Sequence, residues 1–277
     1  MNALLALTAS LLWGSSDFGG GLMSRRLHPS AAVLISQGMA LIALLVLVPV
    51  FAISGGWYLA IAAAAGVVGT MALTSFYRAM ADAPLSLVAP ITAVGTAIPV
   101  LTGLVRGDHL SPLQGAGIGV SLVGVILASG PEFRGEVQHR RKAVIFAVLA
   151  AIGFGVAYTL LALAVSDGNL YGTLLIQRIA GVAVLAMIVL RAGILGGVKL
   201  GIKRLAALAA IGISDVVANG SYALAASRGN LAVAAVLASL YPVVTALLAR
   251  GILAERLRPV QSMGVLAAVG GVVLLST

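Results

Sequence analysis

The chain alternates long apolar runs with short polar breaks. Mostly apolar runs fall near residues 3–22, 31–51, 58–80, 85–104, 112–130, 143–164, 171–190, 205–225, 231–249 and 259–276. Each is about the 20 residues a helix needs to cross a bilayer core, and a helix satisfies its own backbone there. The runs lack the two-residue alternation of a lipid-facing β-barrel. The pattern predicts an all-α integral membrane protein of ten transmembrane helices with short connections.

The pattern also repeats. At one fixed shift Leu110, Pro112, Gln114, Gly117, Gly124, Val125, Leu127 and Ser129 fall on Leu257, Pro259, Gln261, Gly264, Gly271, Val272, Leu274 and Ser276, and acidic Asp108 falls on acidic Glu255. Earlier, Trp13-Gly14 meets Phe154-Gly155, Leu34-Ile35 meets Leu175-Ile176, and Tyr77 meets Tyr222, with a small drift in the shift from loop lengths. The expected division is a first five-helix repeat over residues 1–130, a polar linker over 131–142, and a second repeat over 143–277. Five spans per repeat force the second to enter the membrane from the opposite side. The two are then inverted around a central cavity, an arrangement typical of secondary transporters.

Composition sharpens this picture. The chain is 61% hydrophobic and only 9% charged, with a mean hydropathy of +1.12. A soluble domain carries roughly a quarter charged residues, so a soluble chain is excluded. The net charge of +9 is read as topology, not as affinity for nucleic acid. Arg25, Arg26, Arg134, Arg140, Arg141, Lys142, Arg191, Lys199, Lys203, Arg204, Arg256 and Arg258 lie in odd-numbered loops, with Arg78 and Arg250 at the edges of that side. Arg106 and Arg228 lie on the other side. The positive-inside rule then places odd loops in the cytoplasm and both termini outside. The first run has neither a preceding basic region nor a small-residue cleavage site, so it is expected to be retained. The absence of cysteine removes disulfides, thiolate metal sites and cysteine nucleophiles.

Ionisable groups inside spans are costly and usually functional. Asp17, Gln37, Arg178 and Asp215 stand out. Arg178 lies 13 residues before Arg191 and Asp215 lies 11 after Arg204, about 20 and 17 Å from the same surface at 1.5 Å per residue. Asp17 and Gln37 lie 8 before Arg25 and 11 after Arg26, about 12 and 17 Å deep. All four fall near the middle of a roughly 30 Å core. Spans seven and eight are consecutive and antiparallel, so Arg178 and Asp215 are expected to pair. That pair either lets two helices insert or contacts the substrate's charged group. Asp17 lacks an obvious cationic partner. It reads either as a proton carrier or as a capping or hydroxyl-bonded carboxyl at a break in span one, within WGSSDFGGG.

Trp13, Tyr77, Tyr158, Tyr222 and Tyr241 are the aromatic residues inside spans that suit stacking or cation binding, and Asn219 sits one turn beyond Asp215. The resulting candidate substrate-binding set is Trp13, Asp17, Tyr77, Tyr158, Arg178, Asp215, Asn219 and Tyr222. Pro90, Pro99 and Pro242 mark kinks that are either static or gating hinges. Gly115, Gly117, Gly119 and Ser121, with Gly264, Ala268 and Gly271, give small-residue spacing for close helix approach. That approach serves either packing between the repeats or a homodimer. No zinc signature, phosphate-binding loop or nucleophile elbow appears, and His28, His109 and His139 all fall in loops. No cofactor or metal is expected.

The opening LLWGSSDFGG and the closing SLYPVVTALLARGILAERLRPVQSMGVLAAVGGVVLL resemble the drug/metabolite transporter superfamily, in its ten-span EamA-type branch. The matching positions are Pro242, Glu255, Gln261, Gly264, Gly271 and Val272. The resemblance covers nearly the whole chain, in two copies. It implies inverted five-helix repeats around a central cavity, alternating access, and export or exchange of small metabolites. The chain departs from the family at Gln37, where many members carry arginine, and at Thr96 and Asp108, which stand opposite Pro242 and Glu255. Members are usually drawn with both termini in the cytoplasm, against the charge count.

The leading expectation is a secondary transporter, not an enzyme, in a bacterial inner membrane. Its substrate is a small polar or amphipathic metabolite such as an amino acid or an organic cation. It is driven by protons or works by exchange, as a monomer or homodimer, with no nucleic-acid partner. The alternatives are a membrane enzyme acting on lipid-linked substrates, which needs a polar cluster at one membrane face, and a channel, which needs a charged ring along a pore.

Overall fold

The computed structural model describes residues 1–47, 56–83, 85–128, 137–166, 168–196, 200–253 and 259–275. Ser129, Arg134, Lys199, Glu255, Arg256, Leu257, Arg258 and Ser276 fall outside the described residues, with the first half of the linker and the side chains of Pro90, Arg140 and Arg250.

Every regular element among the described residues is helical. In chain order they are α1 (Asn2–Ser24), α2 (Pro29–Leu47), α3 (Tyr58–Asp82), α4 (Leu85–Ala93), a 3₁₀ turn (Val94–Thr96) and α5 (Ala97–Val105). There follow α6 (Pro112–Ala128), α7 (Val137–Ser166), α8 (Leu170–Arg191), α9 (Ile202–Arg228), α10 (Leu231–Ala238), α11 (Tyr241–Leu253) and α12 (Pro259–Leu275). Six segments are long and apolar enough to cross a membrane: Pro29–Val46, Tyr58–Asp82, Leu87–Val105, Arg141–Ser166, Leu170–Arg191 and Ile202–Arg228. α6, α12 and the segment Leu231–Thr245 are shorter and equally apolar. α1 has the length, but Ser15, Ser16 and Asp17 make its centre more polar.

Burial is inverted relative to a soluble protein. Leu4, Val46, Leu101, Ile152 and Leu266 are exposed, whereas Asp17, Gln37, Arg178 and Asn219 are buried. An apolar exterior around a polar interior is what a lipid solvent selects. This is an integral, multi-pass membrane protein.

The helices pack in matched pairs. α1 lies along α9 and α3 along α7; α2 meets α9 and α8 meets α3; α6 packs against α12. Exchanging the two halves of the chain converts the first four of these contacts into one another and maps the α6–α12 contact onto itself. Small residues seat the pairs. A side chain at Gly66 would strike the Gln177 carbonyl, and one at Gly212 would strike that of Ser36. Gly14 lies against the carbonyl of Tyr241, and its repeat mate Gly155 against that of Gly95. Gly124 fits against Ala268, and Gly271 against Ser121. The inner small residues of α6 therefore pack on α12. Gly115 and Gly119 face away, with nothing in reach of an added Cβ.

Two apolar spans are broken at corresponding places. The fourth changes from α4 to α5 through Val94–Thr96, and the ninth changes from α10 to α11 through Ser239–Leu240. Pro99 and Pro242 follow these turns; each lacks the N–H that would bond the carbonyl four residues back, at Gly95 and Ala238, so each proline interrupts an otherwise continuous span. α7 begins at Val137, inside the stretch read as linker, because Gln138 to Lys142 includes no helix breaker.

Candidate functional site

α1 runs unbroken through WGSSDFGGG. The hydroxyls of Ser15 and Ser16 donate back to Leu11 and Trp13 carbonyls at 2.8 and 3.0 Å, so they need no outside partner. The glycines do not loosen the helix; they smooth it, with Gly20 receiving the Tyr77 hydroxyl. Asp17 therefore caps no break. Its carboxylate has no hydrogen-bond or ion-pair partner among the described residues, and it faces a cavity.

That cavity, about 40 Å³, lies between α1, α2, α3, α7, α8 and α9. Trp13, Asp17, Tyr158, Arg178, Asp215 and Asn219 all line it. The expected ion pair forms: Arg178 Nη1 donates to Asp215 Oδ2 at 3.0 Å. The same oxygen accepts from Gln37 Nε2 at 3.3 Å and Asn219 Nδ2 at 3.2 Å. Arg178 is held by one N–H only. Its Nε and Nη2 are buried without a partner among the described residues.

Those two nitrogens form one planar edge, the edge that takes a carboxylate through two parallel hydrogen bonds. A buried donor left unpaired costs about 1–3 kcal/mol, so the edge favours a ligand anion. Asp17 lines the same space with a carboxyl group. The cavity therefore offers a guanidinium edge and a carboxyl group side by side in its lining. The first half has no counterpart: Gln37 stands where the second half has Arg178, and Thr70 where it has Asp215. Thr70 also lines the cavity, as do Gln177 and Phe154. The sequence reading left these three out of the set. The repeat register pointed to Thr70 and Phe154, as mates of Asp215 and Trp13; Gln177 had only its place beside Arg178.

A second cavity, about 20 Å³, lies against the interrupted spans and is lined by Tyr222, Tyr241, Thr92 and Ser239 among others. Trp13, Phe154 and Tyr158 line both cavities. These rings form one cluster. Trp13 stacks on Tyr158 at 4.5 Å, Phe154 on Tyr158 at 5.6 Å, and Tyr222 lies 5.7 Å from Trp13 and 5.5 Å from Tyr158. Tyr241 Oη donates to Thr92 Oγ1 at 3.0 Å, joining the two breaks. Tyr77 reaches neither cavity lining. Its ring packs beside Phe76, with centroids 6.3 Å apart, and its hydroxyl is wedged on Gly20.

A bundle of apolar helices around a charged pocket defines a membrane protein with a polar interior. The chain belongs to the EamA-like transporter family, whose sequence model matches residues 1–130 and again residues 141–277. It is a membrane transporter of the drug/metabolite transporter type. No curated protein matches the sequence. A solved crystal structure matches the fold with a TM-score of 0.76 at 18% identity, covering 99% of this chain and 98% of that one.

Proposed function

We propose that this protein is a secondary transporter that carries small zwitterionic metabolites, amino acids foremost, by alternating access. Ten spans form two inverted five-helix repeats, residues 1–130 and 143–277, around the Arg178 cavity. The exchange of packing partners between halves supports that arrangement, as do the paired glycine seats. The observation that carries the substrate class is the free Nε–Nη2 edge of Arg178 in a cavity also lined by Asp17. The substrate's carboxylate takes the arginine edge, and its ammonium takes Asp17.

Asp17 also supplies a coupling device. A carboxylate that holds either a proton or the ammonium, but not both, exchanges one for the other. In this reading the protein sits in a bacterial inner membrane with odd loops in the cytoplasm, and the fourth and ninth spans, broken beside the second cavity, are the moving parts.

The test is thermal stabilisation of the purified protein by L-amino acids, compared with their amides and decarboxylated amines. The acid should stabilise and both derivatives should fail. Equal stabilisation by the amides contradicts the arginine edge as the carboxylate site.

A further inference from the structure

At roughly 10–15 Å³ for each water admitted, the ion-pair cavity of about 40 Å³ has room for about three waters. That is less than an amino acid needs, so the bundle must part to admit one. On the face of the even-numbered loops, side chains tie the two halves of the chain together. α5 ends there in a left-handed turn. Gly107 has a φ of 96°, its N–H donates to the Leu104 carbonyl at 3.1 Å, and Asp108 N donates to the Gly103 carbonyl at 2.9 Å. This pair of bonds is a glycine helix stop, and it fixes Asp108 beside the start of α10.

Asp108 Oδ2 accepts from Ala232 N at 3.0 Å. Asn230 Oδ1 takes the next N–H, that of Val233, at 3.1 Å, and Asn230 Nδ2 donates to the His109 carbonyl at 3.5 Å. The first N–H groups of α10 are therefore shared between a cap from its own segment and a carboxylate from the other half. A carboxylate there makes a charge-assisted bond and meets the positive end of the helix dipole. Asn2 Nδ2 adds a further tie at this face, to the Arg228 carbonyl at 3.0 Å.

α10 is a half-span of eight residues, all of them buried except Val233. Ala235 and Ala238, towards its other end, line the second cavity, which shares Trp13, Phe154 and Tyr158 with the ion-pair cavity. α10 thus stands between the even-loop face and the Arg178 site, and the interruption at Ser239–Leu240 separates it from α11.

We propose that Asp108 is the latch of a gate on the even-loop side. Its bond to Ala232 holds α10 closed over the cavities and breaks when the carrier opens to that side. Asp108 is a positioning residue: it acts through α10 and touches no substrate. This rests on the alternating-access reading and not on the choice of a zwitterion.

The chain has no cysteine, so Ala157→Cys places one thiol in the lining of the ion-pair cavity as a reporter. The full chain carrying it, in liposomes, is labelled with a charged, membrane-impermeant thiol reagent applied from one side or the other. Asp108→Ala on this background should speed labelling from the even-loop side by about 10- to 150-fold, the worth of one charge-assisted hydrogen bond, and should not speed it from the odd-loop side. Gly103→Ala should do likewise while keeping the carboxylate, because its Cβ would strike Asp108 Oδ2 and come within 3.0 Å of Ala232 N. Asp108→Asn keeps an acceptor oxygen and should restore most of the closure. Loss of a helix cap and nothing more would lower the melting temperature and quicken labelling from both sides alike. That result, or labelling unmoved by Asp108→Ala and Gly103→Ala, overturns the latch and leaves the carrier standing. Equal labelling from both sides before any change at Asp108 marks an open pore and overturns both.

Discussion

Arg178 gives Asp215 a single hydrogen bond, from Nη1 to Oδ2 at 3.0 Å, and keeps its Nε and Nη2 buried and unshared. A pair built only for stability would close side-on, through two parallel bonds. This one makes a single bond and leaves its Nε–Nη2 edge buried and unpaired, on a residue that lines the cavity.

Breaking the pair from one side should be worse than removing it. Asp215→Leu leaves a buried guanidinium uncompensated and should cost roughly 3–5 kcal/mol. The double variant Arg178→Met/Asp215→Leu should recover most of that loss, because a well-packed apolar pair avoids the desolvation penalty. Denaturation in detergent micelles reads the difference. A double variant no more stable than Asp215→Leu would show that the pair matters through contacts other than its charges. The double variant should bind no zwitterion at any concentration tested.

Arg178→Lys separates charge from geometry. Lysine keeps the positive charge but is a point donor without the planar fork. Losing one charge-assisted hydrogen bond, worth about 1.5–3 kcal/mol, should weaken amino-acid binding by about 10- to 150-fold, with little change in melting temperature. Titration calorimetry on the two proteins checks this; unchanged affinity would remove the two-bond contact from the account.

Asp17→Asn should uncouple transport. Asparagine exchanges no proton, so uptake driven by an imposed pH gradient should fall to the level of empty liposomes. Equal transport by Asp17→Asn and the unaltered protein under the gradient rules out Asp17 as the coupling residue.

Two glycines in similar contacts should behave alike. Gly66→Ala and Gly212→Ala each drive a Cβ into a carbonyl of the facing helix, Gln177 and Ser36 respectively. Overpacking of this kind costs about 1–3 kcal/mol, so both variants should melt early and by similar amounts. Gly38→Ala and Gly115→Ala meet nothing and should melt as the unaltered protein does. A large asymmetry between the first two would argue against a two-fold relation of the halves.

Much of this was legible in the sequence because a membrane simplifies the reading. Apolar runs marked the helices, and depth from flanking arginines brought Asp17, Gln37, Arg178 and Asp215 to one level before any coordinates. Other features depended on rotation about a helix axis, which depth does not give. Tyr77 and Tyr222 are repeat mates, yet Tyr77 turns onto Gly20 while Tyr222 turns to the second cavity. Thr70 was marked only by its register with Asp215, and packing brings it and Gln177 into the lining of the ion-pair cavity. The prolines were more direct: the spans holding Pro99 and Pro242 are interrupted just before them.

Orientation rests on the loop charges, which put both termini outside, against the usual drawing of the family. A carboxy-terminal fusion to an enzyme active only in the cytoplasm should be silent in cells that express the transporter. Strong reporter activity reverses the assignment.

The central claim is a carrier with one pocket alternately open to either side, and counterflow tests it most directly. Liposomes holding the purified protein and a trapped, unlabelled mixture of L-amino acids are diluted into a trace of the labelled mixture, without ATP. The account predicts a transient accumulation of label above equilibrium, absent for Arg178→Lys. Protein-dependent flux that the trapped amino acids fail to accelerate, or no flux at all, would contradict it.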